Sequence, residues 1–186
     1  REGFVVLRQA VSSHACELLK KRVRQELDPL VGPVEFEADV GYPGAPVHRS
    51  APGGDTPRRL LHAYARGREF RSLAEQPTIL ALLEHLLGED VCLTQCHHNC
   101  VMTKHPGYSS VTSWHQDIRY WRFDRQELVS TWLALGPENE ANGGLLVIPG
   151  SHNESFELGQ FDAALFLRTD IPANQELLER ARPVEL

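Results

Sequence analysis

Ala15, Leu18, Leu19 and Val23 recur at the three- and four-residue steps of a helix, directly after Ser12 and Ser13, either of which can accept a hydrogen bond from the helix's first N–H groups. A helix is predicted there, preceded by a β-prone run at residues 4–7. Ile79, Leu80, Leu82, Leu83, Leu86 and Leu87 repeat the pattern more strongly, with Pro77 suited to the first turn and Gly88 to the end. Residues 29–57 are rich in Gly, Pro and Asp without a period, which predicts a long irregular segment with at most short strands. Residues 58–71 predict a helix or a turn.

From residue 91 the texture turns to β. Residues 91–102, 113–118, 128–135 and 144–148 are apolar or alternating runs separated by turn-forming clusters, as in antiparallel strands. Pro149-Gly150-Ser151 predicts a turn, residues 161–167 a loop, residues 174–182 a short helix, and the residues after Pro183 the start of another strand. Helices first and short strands later predict an α+β chain. The most economical arrangement is one domain over residues 1–186, a jelly roll (double-stranded β-helix, cupin-like) with helices packed outside, whose C-terminal strands are expected beyond Leu186.

The charge balance narrows the partners. With 25 acidic and 19 basic residues spread along the chain, a net charge of −6 provides no basic stripe to track a phosphate backbone, so nucleic acid is not expected as a partner. No apolar run reaches the roughly 20 residues that span a bilayer, and no basic stretch leads into the apolar core of a signal peptide. No membrane partner and a cytoplasmic location are expected. Four cysteines in a chain of 186 residues do not form the dense framework of small secreted domains, so reduced thiols are expected.

The most informative stretch for chemistry is Ser113-Trp114-His115-Gln116-Asp117. On a strand, residues two apart share a face, so the His115 imidazole and the Asp117 carboxylate can converge on one ion, while Gln116 points the other way unless the strand twists or bulges. Imidazole and carboxylate make two-thirds of the facial triad that leaves iron(II) with open positions; the remaining ligand would be another His. The same letters also fit an exposed, hydrogen-bonded pair.

Three blocks extend the pattern: residues 114–123 (Trp-His-Gln-Asp-Ile-Arg-Tyr-Trp-Arg-Phe), residues 131–135 (Thr-Trp-Leu-Ala-Leu) and residues 142–152 (Asn-Gly-Gly-Leu-Leu-Val-Ile-Pro-Gly-Ser-His). In this order and separation they resemble the phytanoyl-CoA dioxygenase family, and the opening at residues 3–10 followed by a helix is similar too. The resemblance implies a jelly-roll core holding iron(II), with 2-oxoglutarate and O2 as co-substrates, acting on a small molecule. It makes His115 and Asp117 iron ligands, with no catalytic residue expected beyond the ligands. It puts Gln116, Trp132, Arg59 and Cys100 at the 2-oxoglutarate pocket. Related halogenases replace the carboxylate with a small residue, so Asp117 implies hydroxylation or a similar oxidation. In family members the distal His ligand and the Arg that pairs with 2-oxoglutarate come after the position of Leu186. His152 ends a strand in its block and is not assigned as that ligand.

Other constellations have plainer readings. Cys92, Cys96 and Cys100, at steps of four, are read as small thiols beneath the sheet rather than cluster ligands. His97 and His98 face opposite sides of a strand, and His98 is the one expected nearer the substrate. Lys104 is read as a solvated rim residue that could meet an anionic substrate, and Tyr120 with Trp121 as packing or a pocket wall. Two rival functions remain: a binding module that has lost catalysis, and a cupin-like metalloenzyme that does not use 2-oxoglutarate. Substrate and oligomeric state are not encoded in any motif.

Overall fold

The computed structural model describes residues 2–95, 98–121, 123–125 and 127–186. They are mixed helix and small antiparallel sheets, grouped into two compact units. One comprises residues 9–112 and 124–131; the other comprises residues 1–8, 113–123 and 132–186.

The larger unit opens with α1 (Ser13–Leu27), whose first turn is capped by Ser12 accepting from the Ala15 N–H at 3.2 Å. Leu19 and Val23 are buried on its inner face, and so is Glu26. Glu26 meets the buried Arg66 at 2.7 Å, and Arg66 also donates to the carbonyls of Leu61, Val31 and Pro33. One guanidinium thus ties α1 to the chain leaving the sheet. The sheet itself has the order β1 (Val34–Phe36), β2 (Pro57–Leu61), β3 (Cys100–Met102), antiparallel throughout, with Glu35 opposite Arg59 and Arg59 opposite Met102. Then follow α2 (Arg68–Ala74) and α3 (Pro77–Leu87), the latter begun by Pro77 and ended by Gly88 at φ +97°. Leu60 and Phe70 complete the buried apolar residues of this unit.

The central strand buries two arginines in succession. Arg58 is 2 % exposed and donates to Glu35 at 2.9 Å and to Thr112 Oγ1 at 2.9 Å, with the Tyr42 ring 4.9 Å from its Cζ. Glu37, 1 % exposed, accepts from both the N–H and the hydroxyl of Ser110 and lies 3.9 Å from Arg58. Burial of Arg58 and Glu37 is tolerated because their charged groups meet hydrogen-bond partners, while the Arg59 Nε faces Glu35 at 3.5 Å.

The smaller unit pairs β4 (Leu146–Val147) with β5 (Arg182–Pro183), with α4 (Pro172–Leu178) between them in sequence. Phe166, Leu167, Leu177 and Val184 are its buried apolar residues. The turn at residues 149–151 matches the sequence reading, whereas the last strand is Arg182–Pro183 and does not continue into the residues after Pro183.

Several strand expectations do not hold. Residues 4–7 and 128–135 are not strands among the described residues, residues 91–102 shrink to Cys100–Met102, and residues 144–148 to Leu146–Val147. Residues 58–71, expected as helix or turn, begin as the central strand. β propensity describes fitness for a pleated, partnered surface, and without a neighbouring ladder these runs have nothing to pair with. The mixed helix and sheet composition stands, whereas a jelly roll is not what these two sheets by themselves display.

Candidate functional site

Residues 113–116 run extended without joining a sheet, and Asp117 opens a short 3₁₀ turn, Asp117–Tyr120. The expected strand through residues 113–118 is therefore corrected to an extended segment entering a turn. The two side chains nevertheless meet: His115 Nε2 lies 3.4 Å from Asp117 Oδ1, and both are partly buried.

The ring of His115 has a defined orientation. Its Nδ1 is 2.7 Å from the Ser113 carbonyl oxygen, which can only accept, so Nδ1–H donates there and Nε2 is turned toward Asp117. A ring held this way is what metal-binding histidines require, since the outer hydrogen bond fixes both tautomer and orientation. Two ligand atoms about 2.1 Å from one ion and at right angles are about 3.0 Å apart, so the observed separation accommodates a divalent cation with a small adjustment.

A cavity of about 200 Å³ adjoins this segment, lined by Trp114, His115 and Gln116 and by apolar side chains including Ile148 and Phe161. His152 lines it as well, seated against Gly3, where any Cβ would overlap its ring. His115 and Gln116, adjacent in sequence, both reach this cavity because the backbone there is not an ideal pleat. Asp117 and Trp132 are not among its lining residues. Trp132 is 44 % exposed and donates its indole N–H to Glu138 at 2.7 Å.

The other residues singled out in the sequence fall in the larger unit. Arg59 is buried on β2 and has its Nε 3.5 Å from Glu35. Cys100 sits half-buried on β3 opposite Leu61. Cys92 is exposed and outside any strand, which removes it from the expected set of thiols beneath a sheet; Cys96 lies outside the described residues. His97 and the side chain of Tyr120 also lie outside them. Trp121 stacks on Phe123 at 5.9 Å. Lys104 is not a freely solvated rim residue: its ammonium turns back to the Ser110 carbonyl at 3.2 Å, and partial desolvation, then the nearby Arg58 charge, hold its pKa below the ordinary lysine value despite the opposing pull of Glu37.

Two contributors to the His115 environment were not legible in the sequence. Phe166 stands perpendicular to the imidazole, and the Leu167 N–H donates to the Trp114 carbonyl at 2.8 Å. Nothing in a single Phe-Leu pair announces this. Asp162, shortly before it, is a turn signal that would have placed the loop but not its target.

Comparison with known proteins adds to this geometry. A family model described as Phytanoyl-CoA dioxygenase (PhyH) matches residues 1–186. Among curated proteins, the chain is 25 % identical over 157 residues to the ectoine dioxygenase of Sphingopyxis alaskensis, covering 82 % of this chain and 47 % of the relative. It is 25 % identical over 160 residues to that of Bordetella parapertussis (83 % and 47 %) and 30 % identical over 100 residues to that of Nocardia farcinica (51 % and 32 %). The chain spans about half the length or less of these relatives. No solved structure matches it.

Proposed function

The chain belongs to the phytanoyl-CoA dioxygenase family, and on that premise we propose that it forms part of an iron(II)- and 2-oxoglutarate-dependent dioxygenase, with His115 and Asp117 as two of the metal's protein ligands. The reaction proposed is hydroxylation of an unactivated C–H bond in a small molecule, with succinate and carbon dioxide as by-products. The observation that carries this reading is the oriented pair: a Nδ1-protonated imidazole whose Nε2 faces a carboxylate oxygen at 3.4 Å. A neutral imidazole and a carboxylate are a donor set suited to non-haem iron(II).

Bound iron(II) would supply a site at which 2-oxoglutarate and O2 react and the substrate is oxidised. The chain's own residues do the rest. The Ser113 carbonyl holds the His115 ring in place. Asp117 supplies an anionic donor, where a small residue would leave a ligand position for halide; this favours hydroxylation. The apolar wall of the adjoining cavity limits water beside the pair. Gln116 and Trp132 are proposed on family resemblance to contact 2-oxoglutarate. For Arg59 and Cys100 the same role rests on the resemblance alone, and Arg59 would have to exchange part of its interaction with Glu35 for the co-substrate's carboxylate. The one family model runs through both compact units, which favours a single domain. The relatives' names make ectoine one substrate to try.

The test is succinate release by the intact protein, with and without iron(II), 2-oxoglutarate and a panel of small molecules. Release that requires both, and that falls by at least about 100-fold in His115→Ala and Asp117→Ala, is the expected result, since loss of a ligand should exceed the roughly 10- to 100-fold effects of outer-shell changes. No release under any condition would favour a binding module, and turnover indifferent to 2-oxoglutarate would favour a cupin-like enzyme. Either result would overturn the proposal.

A further inference from the structure

Phe166 is 6 % exposed in a unit with few buried apolar residues, and it is held by a loop built for the purpose. Asp162 Oδ1 accepts from the N–H of Ala164 at 2.8 Å and of Phe166 at 2.9 Å. The Asp162 N–H donates to the Phe166 carbonyl at 2.8 Å, and the Leu165 N–H returns to the Asp162 carbonyl at 3.0 Å. Leu165 itself sits at φ +60°, a left-handed conformation that is strained for any residue with a side chain and persists only where its surroundings over-determine it. Phe161 bridges Leu167 at the neck of the loop, and the Leu167 N–H fastens it to the Trp114 carbonyl, next to His115.

The ring so placed contacts His115 and the turn that Asp117 begins. His115 lies 5.7 Å from it, centroid to centroid, at an interplanar angle of 86°. Arg119, in the 3₁₀ turn that Asp117 begins, rests its guanidinium 3.7 Å from the Phe166 centroid. One phenyl ring therefore references the imidazole by an edge-to-face contact and the carboxylate's turn by a cation–π contact.

We infer that Phe166 is a positioning residue: carried on the Asp162 loop, it fixes His115 and the Asp117 turn relative to each other, so that the pair is set for a divalent cation before the ion arrives. This rests on the reading of His115 and Asp117 as metal ligands. Pre-set donors bind more tightly than donors that must first be ordered.

Cobalt(II) titration of the intact protein, followed through its ligand-field absorption, provides the test, with thermal unfolding of the metal-free protein alongside. Phe166→Leu is expected to weaken cobalt(II) binding about tenfold and to alter the band shape, in the range known for residues supporting metal ligands. Phe70→Leu, the same substitution at an equally buried ring of the other unit, is expected to leave affinity within about twofold. Should Phe166→Leu fail to fold, Asp162→Ala asks the same question by loosening the loop, and Asp162→Asn, which keeps the accepting oxygen, should restore the affinity that Asp162→Ala loses. If His115→Ala weakens cobalt(II) binding while Phe166→Leu and Asp162→Ala do not, the positioning role is overturned and the ligand reading stands. The positioning role is equally overturned if Phe70→Leu and Phe166→Leu weaken binding to the same extent. If His115→Ala and Asp117→Ala leave cobalt(II) affinity at the wild-type value, the ligand reading falls and takes the positioning role with it.

Discussion

Asp39 does three things at once near the start of the sheet. Its carboxylate accepts from the Phe36 N–H at 2.9 Å and from Arg49 at 2.7 and 2.8 Å, and the same Arg49 lies over the Phe36 ring at 3.4 Å. The hydrogen bonds from Arg49 hold the Asp39 pKa below its ordinary value against the opposing effect of burial. A carboxylate with a lowered folded pKa stabilises the fold fully above its unfolded value, about 3.9, and that contribution is lost as pH falls through the folded pKa. Asp39→Asn should therefore reduce stability at neutral pH by less than about 1 kcal/mol, because the pair is partly exposed. The difference from wild type should shrink below about pH 4, as measured by urea unfolding at a series of pH values; a constant difference down to pH 2 would contradict the assignment. At this scale the sequence was only partly legible. The Ser12 cap, Pro77 and Gly88 act within their own turn and could be read directly. Arg58 and Glu37 could not, because their partners Thr112 and Ser110 are brought to them only by the completed sheet; the neighbouring Arg59 stands out in the sequence only through the family resemblance.

Helices were legible where strands were not, and the reason lies in what each element needs. The amphipathic spacing of α1 is satisfied by its own hydrogen bonds and then pinned through Glu26, which meets Arg66 at 2.7 Å and, within the helix, Arg22 at 2.5 Å. Glu26 and Arg66 are almost fully enclosed, so removing Arg66 leaves the buried carboxylate to the partly exposed Arg22. Arg66→Met should destabilise the protein by about 3 kcal/mol, and pairing it with Glu26→Leu should recover part of that loss, because the under-compensated carboxylate then disappears. Equilibrium unfolding of the two single variants and the double variant measures the coupling; strict additivity would show the pair to be incidental. The sheet segments carry no comparable local guarantee. Residues 113–116 are extended as their composition suggests and are fastened by the Leu167 N–H on the Trp114 carbonyl, and Asp117 leaves for a turn. The alternation rule gave a shared face for His115 and Asp117 through an ideal pleat, and the contact arises instead from an extended residue followed by a 3₁₀ start. α3 is the inverse case: every sequence signal for it was present, and yet it buries no residue completely, with Leu86 57 % exposed.

For the molecule as a whole, the distribution of the candidate ligands over the chain has a thermodynamic consequence. His115 and Asp117, the cavity wall and the Asp162 loop all belong to the unit of residues 1–8, 113–123 and 132–186, whose sheet has two strands among the described residues. An ion that binds only the folded pair stabilises that state by about 2.7 kcal/mol at a free concentration 100 times the dissociation constant. For a chain of 186 residues this corresponds to a rise in Tm of roughly 5–10 °C. Manganese(II), which shares the oxygen and nitrogen preferences of iron(II) without its oxidation, should produce that rise in the wild-type protein and little or none in His115→Ala. Hydrogen exchange should localise the effect: added manganese(II) is expected to slow exchange at residues 113–121 and 161–167, because ordering the pair also orders the loop that holds it. Exchange slowed at α1 and not at those segments would mean that the ion stabilises the protein somewhere other than at His115 and Asp117, whatever the change in Tm.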